Sequence, residues 1–128
     1  MMPTLLIIDD DELITDMISY ILTPILDGVT LLFRHDISND LISLNPTLVL
    51  SDLDLGTSSG ETTLTRLRGV FPVEPLVIMS GMEPVQIQDW IRDYRIAHFI
   101  PKDTLMPNLG PLVEVCGLAP RALDTKAG

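Results

Sequence analysis

Apolar and polar positions along this chain follow two different periods. The runs Leu5-Leu6-Ile7-Ile8, Leu48-Val49-Leu50 and Leu76-Val77-Ile78-Met79 are short and apolar throughout. They lack the in–out alternation of a half-solvated sheet and read as strands covered on both faces. Between them lie stretches with helical spacing. In residues 12–22 the apolar positions Ile14, Met17, Ile18, Ile21 and Leu22 follow the i, i+3, i+4 rule of a helix packed on a sheet. Alternation of the two patterns predicts an α/β fold, a doubly wound parallel sheet with helices on both sides. Five strands are expected, at residues 4–8, 29–34, 48–51, 76–79 and 98–100.

Punctuation residues set the remaining boundaries. Pro24 ends or bends the first helix, and Asp27-Gly28 turns the chain into the second strand. A short second helix is expected around 38–43, stopped by Asn45-Pro46, and a third over 60–70 with Leu64 and Leu67 facing inward. A fourth, over 84–95, places Ile87, Trp90, Ile91 and Tyr94 on one face and Gln86, Asp89, Arg92 and Asp93 elsewhere. Trp90 is therefore read as core or half-buried. Pro107, Gly110 and Pro111 are expected to break the last helix, leaving two turns over 111–118. Residues 1–120 are expected to make one domain and 121–128 a tail or linker.

Composition narrows the function classes. A chain of 128 residues suffices for one domain with a sizeable core. Aromatics are only 5% of it, so that core is aliphatic. With 18 acidic against 8 basic residues the net charge is −10, which argues against direct binding of a nucleic-acid backbone. Cys116 is the single cysteine, read as a small apolar residue of the last helix, so no internal disulfide is possible. No basic leader and no stretch of roughly 18 apolar residues is visible, so a cytoplasmic location and no membrane partner are expected.

The chemistry collects at strand ends. Asp9 and Asp10 follow the first strand, Asp52 the third, Ser80 the fourth and Lys102 the fifth. In an open parallel sheet these C-terminal ends share one edge, where ligands bind. Gathered carboxylates repel one another unless protons or a hard cation intervene. Asp52 is read as a carboxylate nucleophile toward phosphorus. Mg²⁺ (or Mn²⁺) is expected between Asp10, Asp52 and the backbone carbonyl of Asp54, with Asp9 acting through a water. Lys102 offers a compact cation and Ser80 a hydroxyl to phosphoryl oxygens. Asp11 is read as a helix cap, and His35 and His98 as structural or surface residues.

The acidic pair Asp9-Asp10, Asp52 with Gly60 eight residues on, Met79-Ser80-Gly81 and Phe99-Ile100-Pro101-Lys102 occur in this order. Together they resemble the receiver domain of two-component response regulators over residues 4–118. The resemblance implies a flavodoxin-like three-layer sandwich with strand order 2-1-3-4-5 and five helices. It implies Asp52 as phospho-acceptor, a histidine kinase or phosphotransfer protein as donor, and a downstream effector protein or output domain as recipient. It further implies a switch in which Ser80 moves toward the phosphate and Phe99 turns inward. The face formed by the fourth helix, fifth strand and last helix would then report the state.

Some positions depart from that pattern. Gly56 stands where the family usually has proline, which predicts a less rigid loop. Asp54 adds a carboxylate at the pocket entrance, where its charge is expected to alter water attack on the phosphate. Lys102 is preceded by Pro101 and followed by Asp103. A homodimer is compatible with the resemblance, although a broken last helix argues against one through the fourth and fifth helices. Two other readings compete. Asp52-Leu53-Asp54 resembles the Asp-x-Asp signature of haloacid-dehalogenase-type phosphohydrolases, but in those the nucleophile sits on the first strand. A non-phosphorylated interaction module of the same fold is opposed by the intact Asp9, Asp10, Asp52, Ser80 and Lys102.

Overall fold

The structure, a computed structural model, describes residues 3–26, 28–56 and 59–115, with side chains for all of these but 111–115. Asp27, Cys116 and the expected tail lie outside them. Five parallel strands, β1 (Thr4–Ile8), β2 (Thr30–Arg34), β3 (Leu48–Asp52), β4 (Leu76–Ser80) and β5 (Ile96–Pro101), form one sheet in the order β2-β1-β3-β4-β5. The four α-helices described are α1 (Glu12–Leu22), α2 (Gly60–Val70), α3 (Pro84–Asp93) and α4 (Leu105–Val115). The expected second helix is a 3₁₀ segment, Asn39–Leu44, which buries Leu41 and ends at Asn45 with φ 50°. None of these helices is long and apolar enough to cross a membrane.

Strand pleating divides the core into two layers. Leu5, Ile7, Leu48, Leu50, Val77 and Met79 join Ile18 and Leu22 of α1 and Leu105 and Leu109 of α4. The alternate residues Leu6, Ile8, Val49, Leu76 and Ile78 join Leu64 and Leu67 of α2 and Ile87 of α3. The continuous apolar runs are thus explained: each strand feeds both layers. Fully burying one such aliphatic side chain is worth about 1.5–3 kcal/mol, so these interlocked rows hold the strand ends in register. Trp90 is half-buried, and a Cβ at Gly60 would lie 3.0 Å from its ring and 3.1 Å from Leu53 Cγ. The glycine opening α2 is there to let that ring in.

The last helix corrects the expected break. α4 runs unbroken from Leu105 through Pro107, Gly110 and Pro111 to Val115. Pro107 falls in the first turn, where N–H groups have no helical partner to lose. Pro111 lies in the interior and forgoes one helical bond, while Leu105 and Leu109, one turn apart, are both fully buried against α1 and the sheet. Tertiary burial outweighs local propensity here. The argument against a dimer drawn from a broken helix therefore falls away.

Candidate functional site

Register brings the site together before any side chain is considered. β1 pairs with β3 so that Ile8 faces Ser51, which sets Asp9 beside Asp52 at the next position. β3 pairs with β4 through Asp52 and Met79, and β4 with β5 through Ser80 and Pro101, one residue before Lys102. The predicted site residues Asp9, Asp10, Asp52, Ser80 and Lys102 thus come to one edge of the sheet.

The three consecutive aspartates have three different surroundings. Asp11 is exposed and caps α1, accepting the Leu13 N–H at 3.0 Å, as expected. Asp9 is completely buried; its Oδ1 accepts the Asp11 N–H at 2.9 Å, and its Oδ2 accepts no hydrogen bond among the described residues. Asp10 is exposed and reaches across to the segment after β3, where its Oδ2 accepts the Gly56 N–H at 3.0 Å. Asp52 is 2% exposed, with Oδ1 accepting the Asp54 N–H at 3.1 Å and Oδ2 lying 3.0 Å from Lys102 Nζ. The same ammonium stands 3.8 Å from Asp9 Oδ2.

This crowding shifts the titrations. Burial pushes the Asp9 carboxyl up to about 6, with Asp52 and Asp10 adding to the rise against the Asp11 N–H and Lys102. Burial also raises Asp52, opposed by the Asp54 N–H and by Lys102. For Lys102 burial works downward, but the Asp52, Asp9 and Asp54 carboxylates outweigh it and the net movement is up. The lysine is held as a cation, and the cluster is short of positive charge.

Asp9, Asp10 and Asp52 each offer a carboxylate oxygen, and these oxygens lie within 4.8 Å of one another. An all-oxygen set in which the buried Asp9 Oδ2 has no hydrogen bond among the described residues fits a hard divalent cation such as Mg²⁺ or Mn²⁺. Ser80 is fully buried at the end of β4; its Oγ accepts the Met82 N–H at 3.0 Å and keeps one hydrogen to donate. Phe99 is half-buried on β5, packed on the layer formed with α2 and α3. His35 and His98 are exposed. The Gly56 amide, like the Asp54 amide on Asp52, is a participant that sequence reading missed. The only signal in the sequence was a glycine four residues after Asp52, because a backbone donor leaves no side-chain trace.

No family model matches the chain, and no curated protein is significantly similar to it in sequence. Solved structures are similar in fold. The signal receiver domain of an HD domain-containing protein from Pseudomonas fluorescens superposes with a TM-score of 0.67 at 24% identity, covering 91% of this chain and 98% of that one. The phosphorylated cyanobacterial phytochrome response regulator RcpA gives 0.72 at 16% identity, covering 89% and 93%. NtrX from Brucella abortus gives 0.71 at 24% identity over 91% of this chain but 27% of its own length. With its strand order and helical layers, the chain has the fold of response-regulator receiver domains.

Proposed function

We propose that this domain is a phosphorylatable signalling receiver. One observation carries the reading: a buried carboxylate, Asp52, ends the central strand with a lysine ammonium at 3.0 Å and two further carboxylates beside it. In the proposed step an Asp52 oxygen attacks the phosphorus of a phosphohistidine on a kinase or phosphotransfer protein. The new O–P bond forms as the P–N bond breaks, and the imidazole leaves with that electron pair. Asp9, Asp10 and Asp52, with the Asp54 carbonyl, would hold a divalent cation, which when bound would offset the negative charge of a phosphoryl group entering an acidic pocket. Lys102 already lies on Asp52 Oδ2 and would follow the negative charge onto a phosphoryl oxygen. The Asp54 N–H on Oδ1 fixes the carboxylate plane, so the nucleophile is oriented before the donor arrives.

Ser80 and Phe99 carry the readout in this reading. A phosphoryl group on Asp52 offers an acceptor to the free hydrogen of Ser80, and shifting Ser80 disturbs its turn with Met82. Met82 and Phe99 both pack on the same core layer, so the disturbance has a route to β5. The recipient is a downstream effector or an output domain. The domain acts as acceptor and switch, with no substrate turnover beyond its own phosphorylation and hydrolysis. A dehalogenase-type hydrolase would carry its nucleophile on the first strand, whereas Asp52 ends β3. Mass spectrometry after treatment with acetyl phosphate and Mg²⁺ tests the proposal. A single labile adduct of one phosphoryl group is expected in the wild type and none in Asp52→Asn. An unmodified wild type, or an adduct that persists in the variant, overturns it.

A further inference from the structure

Two glycines follow Asp52, and they are glycines for opposite reasons. At Gly60 a side chain has no room, because Trp90 and Leu53 fill the space. At Gly56 none of the described residues lies within 4 Å of where a Cβ would stand, so crowding among them is not the cause. The backbone there takes φ +61°, in the left-handed region. That conformation turns the Gly56 N–H toward a carboxylate 46 residues earlier in the chain, Asp10 Oδ2 at 3.0 Å.

The physical need for this contact lies in the charge distribution. Asp10 is the exposed member of the carboxylate cluster, next to Asp9 and Asp52, and the single nearby ammonium among the described residues, Lys102, is spent on those two. Repulsion drives an exposed carboxylate out toward water. The Gly56 N–H opposes that drift, and while it holds Oδ2, Asp10 still presents an oxygen within the 4.8 Å group formed with Asp9 and Asp52. Proline at this position would have neither the N–H nor access to φ +61°.

Resting on the receiver reading, we propose that Gly56 is a positioning residue: its left-handed backbone presents an N–H that holds Asp10 in place for the divalent cation. The coupling is reciprocal. A cation that fixes Asp10 also stabilises the loop conformation, and a loop unable to form the bond weakens the cation. Gly56 touches neither phosphate nor nucleophile, so its effect falls on metal affinity, before any phosphoryl chemistry.

The test is calorimetric titration of the unphosphorylated chain with MgCl₂, alongside circular dichroism as a control for folding. Gly56→Pro is expected to weaken Mg²⁺ about tenfold, the loss of one hydrogen bond to a charged group. Gly56→Asn keeps the N–H and tolerates the left-handed region, so it is expected to stay within about threefold of wild type. Gly56→Ala keeps the N–H but strains at this φ, and should fall between the two. Should the proline variant fail to fold, the ordering of alanine below asparagine carries the test. Equal affinities across the series, or equal weakening by proline and asparagine, overturn the positioning role and leave the receiver reading standing. A wild type that binds no Mg²⁺ at millimolar concentration overturns both.

Discussion

The two ends of the sheet treat charge in opposite ways. At the N-terminal ends of β4 and β5, Arg68 gives four hydrogen bonds to backbone carbonyls: Nε to Tyr94 at 2.8 Å, Nη1 to Phe71 at 2.9 Å and Glu74 at 2.8 Å, and Nη2 to Arg95 at 2.9 Å. Arg95, itself at φ 55°, donates to the Pro72 carbonyl at 2.9 Å. These contacts gather the C-terminal end of α2 with the segments that lead into β4 and β5. At the opposite rim Asp9 is sealed from water, one of its oxygens accepting no hydrogen bond among the described residues, and one lysine serves two buried carboxylates. Charge satisfied by backbone is architecture, whereas the incompletely satisfied charge marks the candidate site.

Mutations that exchange the two behaviours test this contrast. The largest effect belongs to Lys102→Ala, expected to slow formation of the Asp52 adduct by about a hundredfold or more, since a positioned cation on the reacting oxygens is removed. Quench-flow mass spectrometry with acetyl phosphate measures it; a change below threefold would mean the 3.0 Å pair is structural. Arg68→Ala should do the reverse. Adduct formation stays within about twofold while the folded chain loses about 3–4 kcal/mol in urea denaturation, because several carbonyls lose a charged donor together. Arg68→Lys should recover less than half of the loss, a point charge being unable to span four carbonyls.

Acidity gives a third, smaller effect. Asp9 binds its proton more tightly folded, near 6, than its ordinary value of 3.8. The folded state therefore holds more protons between those pH values, and stability conferred by this group is full below pH 4 and lost as pH rises through 6. The loss is on the order of 2–3 kcal/mol. Urea denaturation without divalent cations should show that fall in the wild type and a flatter profile in Asp9→Asn. Adding Mg²⁺ should restore the wild type at pH 7 and leave the variant little changed. The smallest effect concerns Asp54, exposed at the rim yet raising the pKa of both Asp52 and Lys102 by its charge. Asp54→Asn is expected to change phosphate lifetime by about two- to fivefold through water attack, measured as decay of the adduct; equal lifetimes would remove Asp54 from the chemistry.

Much of the fold was legible because apolar periodicity is a local property. Residues 4–8 were read with the observed bounds of β1, and the other strands differ by a residue or two at their ends. The i, i+3, i+4 stripe of α1 buries the expected side, and Trp90 is half-buried as read. The last helix failed as a reading because Pro107 and Pro111 are strong local signals, whereas the burial of Leu105 and Leu109 that overrides them is not local.

The sequence by itself determined which side chains reach the rim. Parallel strands all end on the same edge, so any residue following an apolar run arrives there whatever the details of packing. Only the tertiary structure decided what each carboxylate does once there. Asp9, Asp10 and Asp11 are chemically identical neighbours, yet one is sealed, one reaches across to Gly56 and one caps a helix. Burial and long-range hydrogen bonds depend on register and on backbone conformation far along the chain, which no local pattern encodes.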